Sequence, residues 1–156
     1  MANTFTQIYI HSVFTVKNRE CIIRPNWEEE LYKYITGIVQ NNGHKLLAIN
    51  GMPDHIHVFV NMQPAQAVSE MIQKLKANSS RWINQNKLVK GKFTWQEGFG
   101  AFSYSISQID QVVKYIMNQK EHHRKESFRD EYMKILHQFE IEFKDNYLFD
   151  FFDYEK

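Results

Sequence analysis

The chain has 156 residues, 43% hydrophobic, 15% aromatic and 24% charged, with a formal net charge of +1. That is the composition of one soluble domain, long enough to bury a core without disulfides or a structural metal. The lone Cys21 excludes an internal disulfide and a thiolate metal cluster, so a reducing, cytoplasmic setting is expected. Residues 1–10 lack the layout of a secretion signal, and no apolar run approaches the roughly 20 residues that span a bilayer. No membrane role is expected. Charge is unevenly spread: 15 Lys and Arg face 9 Asp and Glu up to Lys125, and 4 face 9 from Glu126 onward. A basic body with an acidic tail is compatible with phosphate binding by the body, and equally with two ordinary solvated surfaces.

In chain order, Thr4 to Val16 is rich in β-formers and reads as a first strand, with Lys17, Asn18 and Arg19 as its basic exit. After Pro25, the residues Trp27, Leu31, Tyr34, Ile35, Ile38 and Val39 recur at helical spacing over 27–40. Glu28 to Glu30 lie in the first turn, and Asn41-Asn42-Gly43 marks the end. Lys45 to Asn50 is a short strand, and Gly51 to Asp54 turns it back into a hairpin with the strand that begins at His55. From Pro64 to about Asn84 a second amphipathic helix buries Val68, Met71, Ile72, Leu75, Trp82 and Ile83. Phe93 to Ser105 gives strand-like pieces broken by Gly98 and Gly100. Ser107 is the expected N-cap of a helix running to Arg124, and Phe128 to Phe139 is a last helix before an acidic, aromatic tail. The order strand–helix–strand–strand–helix–strand–helix predicts an α+β fold. Its form is a ferredoxin-like (RRM-like) antiparallel sheet with helices packed on one face, plus a C-terminal helix.

Two places carry chemistry. His55-Ile56-His57 lies on a strand, where residues two apart share a face, so the two imidazoles project together while Ile56, Val58 and Val60 enter a core. Neutral imidazoles are divalent-metal ligands, and such a pair is half a site; many pairs of this kind only line a sheet face. Asp54 is placed to orient one ring or merely to end the turn. On the later helix, Tyr115 and Gln119 are four apart and share a face, at the edge of the stripe Val112, Val113 and Ile116. Read alone, Tyr115 is a packing residue, Gln119 a surface one, and His122 and His123 surface histidines.

Taken together, these pieces resemble a known family. His55-Ile56-His57 resembles the HUH motif (His, bulky apolar, His). Tyr115-Ile116-Met117-Asn118-Gln119 resembles the Tyr-x-x-x-Gln of the single-tyrosine HUH transposases of small bacterial insertion sequences. The segments His11 to Arg19, Gly51 to His57 and Trp95 to Ser103 are similar to that family as well, in the same order, over roughly Phe5 to Lys125. Asn18 departs from the aromatic usual there.

The resemblance implies a catalytic domain over 1–125; the acidic, aromatic extension over 126–156 carries none of the family's motifs and is expected to pack on the same domain. The resemblance also implies Tyr115 as the nucleophile of a DNA transposase, and His55, His57 and Gln119 as ligands of Mg²⁺ or Mn²⁺. On ligand type alone Zn²⁺ or another transition metal is equally credible. The implied substrate is single-stranded DNA recognised through a hairpin. The implied assembly is a homodimer in which the tyrosine helix of one chain is able to complete the histidine pair of the other, with docking in cis or in trans left open by the sequence. A covalent 5′-phosphotyrosine would keep the phosphoester energy that hydrolysis loses. Lys17, Arg19, Lys74, Lys76, Arg81, Lys87, Lys90 and Lys92 are candidates for the phosphate backbone, and Phe99 and Phe102 for stacking on bases. Two other readings stand beside this one. The first is a domesticated or inactive relative that only binds hairpin or single-stranded nucleic acid. The second is a metallohydrolase in which Tyr115→Phe would still cleave.

Overall fold

Four segments make one antiparallel sheet: β1 (Tyr9–Thr15), β2 (Lys45–Met52), β3 (His55–Asn61) and β4 (Gly100–Tyr104), in the order β2-β3-β1-β4, with β-branched and aromatic residues concentrated in the two central strands β1 and β3. This computed structural model describes residues 4–17 and 22–141; Asn18, Arg19, Cys21 and the tail from Glu142 lie outside that range. The strand order is the ferredoxin-like one that the alternation of elements predicts. β1 starts later than its composition suggests, because pairing begins only where Tyr9 meets Asn61 of β3 and Tyr104 of β4. The glycine-broken stretch yields one bridge, Val16 to Trp95, before the short β4.

Period-2 patterning divides the sheet into two faces. Phe14, Ile56, Val58 and Val60 point to the side covered by α1 (Pro25–Asn41) and α2 (Val68–Gln85). There they meet Trp27, Leu31, Ile35 and Val39 of α1, and Met71, Ile72, Leu75 and Ile83 of α2. Full burial of each such side chain contributes about 1.5–3 kcal/mol, so this layer carries most of the apolar stabilisation. Tyr34, predicted within the α1 stripe, instead stacks on Trp82 at 5.2 Å near the rim. α2 begins four residues after Pro64, because the Gln63 side chain accepts from the Ala65 N–H at 2.6 Å and holds that stretch as a turn.

The opposite face carries His11, Val13, His55, His57, Phe59 and Phe102. It is covered by α3 (Ile109–Met117), α4 (Gln119–Lys125) and α5 (Phe128–Gln138). The single helix expected over 108–124 is therefore two. Its start also differs: Ser105 rather than Ser107 makes the cap, with its N–H donating to Gln108 Oε1 at 3.1 Å across a 3₁₀ turn. Asn50 on β2 explains the break at Asn118, since its Nδ2 donates to the Ile116 and Met117 carbonyls at 3.1 Å each. No helix among the described residues is long and apolar enough to cross a membrane.

The β2–β3 hairpin that presents the histidines turns at Pro53 and Asp54. Gly51 pairs with Ile56, and a Cβ at position 51 would collide with the His55 carbonyl oxygen and lie 3.0 Å from Ile56 Cα. Gly51→Ala is therefore expected to cost about 1–3 kcal/mol by overpacking. Thermal unfolding measures the loss, and amide shifts around His55 should move with it.

Candidate active site

β3 sets His55 and His57 side by side on the helix-covered face, both fully buried, with ring centroids 5.1 Å apart. Neighbours fix each ring. Asp54 Oδ1 lies 2.8 Å from His55 Nδ1, which makes that nitrogen the protonated one and leaves the Nε2 lone pair facing inward. His11 on β1 brings its Nε2 within 2.7 Å of His57 Nδ1. Burial lowers the pKa of both rings below the ordinary imidazole value, so this is a neutral pair sharing one proton. When His57 offers its Nε2 lone pair, its proton sits on Nδ1 and His11 accepts it. His11 Nδ1 has no partner among the described residues.

The break at Asn118 opens α4 with Gln119, which is fully buried. Lys120 steadies that junction, donating to the Gly51 carbonyl at 2.6 Å and pairing with Glu28 at 3.2 Å. Gln119 Oε1 lies 3.3 Å from His55 Nε2. Tyr115, on the last turn of α3, is half-buried with its ring 6.0 Å from that of His57.

α5 adds what completes the cluster. Ser127 caps it by accepting from the Asp130 N–H, and Phe128 stacks on His55 at 4.0 Å. Tyr132 fits because Gly100 has no Cβ; one there would lie 2.5 Å from the Tyr132 hydroxyl. In the same apolar stripe stands Glu131, only 3% exposed. Its Oε1 is 3.2 Å from His57 Nε2, 3.6 Å from His55 Nε2 and 3.3 Å from His123 Nε2. Its Oε2 accepts from the Tyr115 hydroxyl and, at 2.9 Å, from Gln119 Nε2.

Burial works against a charge on Glu131, but His57, His123 and His55 outweigh it and hold the carboxyl below its usual range. Burial, followed by the Glu131 charge, raises the Tyr115 phenol, so it stands as a donor at neutral pH. A carboxylate only accepts, so the Gln119 amide nitrogen faces Glu131 and its oxygen faces His55. Two acceptors then oppose each other unless the ring takes a second proton or a cation stands between them. Ligand atoms of His55, His57 and Glu131 all lie within 4.8 Å of one another. This donor set, two imidazole nitrogens with amide and carboxylate oxygens, fits a divalent metal of the Mn²⁺, Mg²⁺ or Zn²⁺ class. An open cavity of about 260 Å³, lined in part by Tyr104, Gln111 and Lys134, reaches Tyr115 and Glu131 from solvent.

Residues 4–119 match the family described as IS200-like transposases. The chain belongs to the IS200-like transposase family. A relative, the ISDra2 transposase TnpA of Deinococcus radiodurans, is 26% identical over 118 residues, covering 72% of this chain and 84% of its own. Two solved structures share the fold. One is a putative transposase from Deinococcus radiodurans, with TM-score 0.62 and 22% identity, covering 76% of this chain and 95% of that one. The other is a REP-associated tyrosine transposase bound to a REP hairpin, with TM-score 0.60 and 14% identity, covering 79% and 73%.

Within this IS200-like chain, Tyr115, Gln119, His55 and His57, the residues that the family resemblance groups, lie in one cluster. The basic residues do not join them. Lys74, Lys76 and Arg81 ride on α2, behind the sheet, and Lys87, Lys90 and Lys92 on the loop after it. Lys76 is tied down, donating to the Gln96 and Gly98 carbonyls at 2.8 and 2.5 Å, and burial draws its pKa to about 8. Lys74 pairs with Glu70 at 3.7 Å, while Lys17, Arg81, Lys87, Lys90 and Lys92 are exposed. Of the candidate stacking rings, Phe102 is buried against His11 and α5.

Three residues escape the sequence reading: Glu131, His11 and His123. His123 is not a surface histidine, its side chain being 7% exposed, with its ring 4.9 Å from that of His55. The His122 ring packs tilted against that of Tyr115, with centroids 4.8 Å apart. The signal for Glu131 was present, as a carboxylate within the i, i+3, i+4 stripe of Phe128, Tyr132 and Ile135. Removing the partner that orients a metal-binding histidine typically weakens binding about 10- to 100-fold, and His11→Phe should do so here. Mn²⁺ titration followed by electron paramagnetic resonance reads this directly; His55→Ala should abolish the site.

Proposed function

We propose that this chain cleaves and rejoins single-stranded DNA in the cytoplasm through a covalent tyrosine intermediate. The observation that supports this most is the meeting of Tyr115, Gln119, His55 and His57 around one carboxylate within one chain. His55 and His57, with the oxygens of Gln119 and Glu131, would hold Mg²⁺ or Mn²⁺. When bound, such a cation polarises a phosphate and offsets charge developing on its oxygens.

The rest of the chemistry falls to side chains. Tyr115 attacks phosphorus, leaving a 5′-phosphotyrosine and a free 3′-OH, and the reverse attack joins a new strand. Asp54 and His11 keep the two imidazoles aimed, and Phe128, lying flat on His55, limits the water that would hydrolyse the intermediate. A hairpin substrate is taken from the relative bound to a REP hairpin. A homodimer belongs to the proposal, each chain's Tyr115 docked on its own histidines in this arrangement. Backbone tracking is assigned to Lys17, Arg81, Lys87, Lys90 and Lys92, with Lys74 at the edge and Arg19 beyond the described residues.

A binding module is the second reading, and one observation favours it: α5 leaves the histidine pair fully buried, with no direct exposure to solvent. A denaturing gel separates the two. The wild-type chain, mixed with labelled single-stranded DNA bearing the hairpins that flank its gene, should give a metal-dependent, protease-sensitive adduct. Tyr115→Phe should give none while still binding the hairpin. Binding without any adduct would support the module, and cleavage surviving in Tyr115→Phe a hydrolase. Neutralising Lys87, Lys90 and Lys92 to Gln should weaken hairpin binding across sequences. It should also reduce the slope of log affinity on log salt by about 1 for each lysine that meets a phosphate.

A further inference from the structure

The break between α3 and α4 falls between the two residues that meet the histidine cluster: Tyr115 lies on the last turn of α3, and Gln119 opens α4. One short piece of β2 holds that break. Asn50 Nδ2 donates to the Ile116 and Met117 carbonyls at 3.1 Å each, and the next residue, Gly51, offers its carbonyl to Lys120 Nζ at 2.6 Å. Lys120 also pairs with Glu28 of α1 at 3.2 Å, so the α4 side of the junction is tied to two elements. A helix end needs partners for its last carbonyls, yet water or a cap from its own loop meets that need. Here the partner is a strand residue at one particular register. Asn50 lies directly opposite His57 in the β2–β3 ladder, and Gly51 opposite Ile56. Residues directly opposite in an antiparallel pair share a face, so the Asn50 amide stands beside the His57 side chain. The tyrosine helix thus hangs from the neighbour of the histidine it approaches.

We propose that Asn50 is a positioning residue that seats the tyrosine helix over the histidine pair of its own chain, with Lys120 as the second tie. This rests on the reading of Tyr115 as the nucleophile. Ties from successive strand residues, one on each side of the break, fix both the height of α3 above the sheet and its angle to α4. Ile116 and Met117 directly follow Tyr115, so any shift of the turn that Asn50 holds moves the tyrosine hydroxyl with it. A misplacement of about 1 Å is enough to cost about 100-fold in rate when reacting atoms have to meet in line. Gln119 directly precedes Lys120, so the second tie sets the amide that faces His55. Asn50 acts through the helix and not on the reacting atoms.

The test uses the full-length chain and single-turnover adduct formation at saturating hairpin DNA and Mn²⁺. Mn²⁺ occupancy, hairpin affinity and melting temperature are measured for each variant. Asn50→Leu keeps the size of the side chain but removes the donor. Well below its melting temperature it should form adduct about 10- to 100-fold more slowly, with hairpin affinity within about twofold of wild type. Asn50→Gln, which keeps an amide donor on a longer stem, should recover part of that rate. A fluorinated tyrosine at position 115 reads the geometry without turnover. Bound Mn²⁺ should broaden its ¹⁹F resonance strongly in the otherwise wild-type chain, and less in Asn50→Leu at equal occupancy. If Asn50→Leu does not fold, Lys120→Met carries the same comparisons. A rate within about twofold of wild type overturns the inference, as does equal broadening in the two chains. A mixture of Tyr115→Phe and His55→Ala chains should give no adduct; adduct from it would put the tyrosine of one chain on the histidines of another and overturn seating within one chain. No adduct from the wild-type chain removes the nucleophile reading, while the ¹⁹F comparison still decides whether Asn50 seats the helix.

Discussion

A buried carboxylate must be surrounded by donors or by a cation, and in this molecule that requirement joins three layers of structure. Glu131 belongs to α5, the histidines to the sheet, and Tyr115 and Gln119 to the two helices between them. None of these side chains has a stable position alone. His55 and Gln119 present lone pairs to each other, and Glu131 carries a charge away from water. What balances one group is supplied by another layer, so the site orders the packing as much as the packing orders the site.

The two faces of the sheet divide the work accordingly. On the α1–α2 side the pattern is nearly all apolar, with Phe14, Leu31, Ile35, Ile56, Val58 and Leu75 fully buried. The other side gives up part of that stabilisation to hold His11, His55, His57, Gln119 and Glu131 out of solvent. Smaller apolar clusters frame this polar centre. Val112 and Ile116 pack on Phe59 at one end, while Tyr132, Ile135 and Leu136 pack near Val13 and Phe102 at the other. A strong core behind the sheet lets the front carry groups chosen for chemistry.

Periodicity made most of this fold readable. The α1 stripe, the β2–β3 hairpin and the projection of His55 and His57 to one side follow from local spacing, and the observed register agrees. The family resemblance added Tyr115 and Gln119, which four-residue spacing alone left as surface or packing residues. What stayed hidden depends on partners far along the chain. The break at Asn118 needs Asn50, 66 and 67 positions from the carbonyls it binds. Glu131 meets His57 across 74 positions, and a single glutamate in an acidic stretch has no fixed spacing to a histidine pair. His11 looked like one residue of a β-strand until pairing set β1 beside β3.

The docking of α5 has a consequence for where this protein can be cut. The stretch matched by the family ends at 119, and the change from basic to acidic composition falls close behind it, so both invite a boundary there. In packing there is none. A chain ended at that point would leave Val13, Phe102 and the ring of His55 without their cover, a strip of uncovered apolar sheet beside an unshielded imidazole pair. Among the described residues the cover of that strip runs to Leu136, so the packing that encloses the histidine pair continues past the end of the family segment.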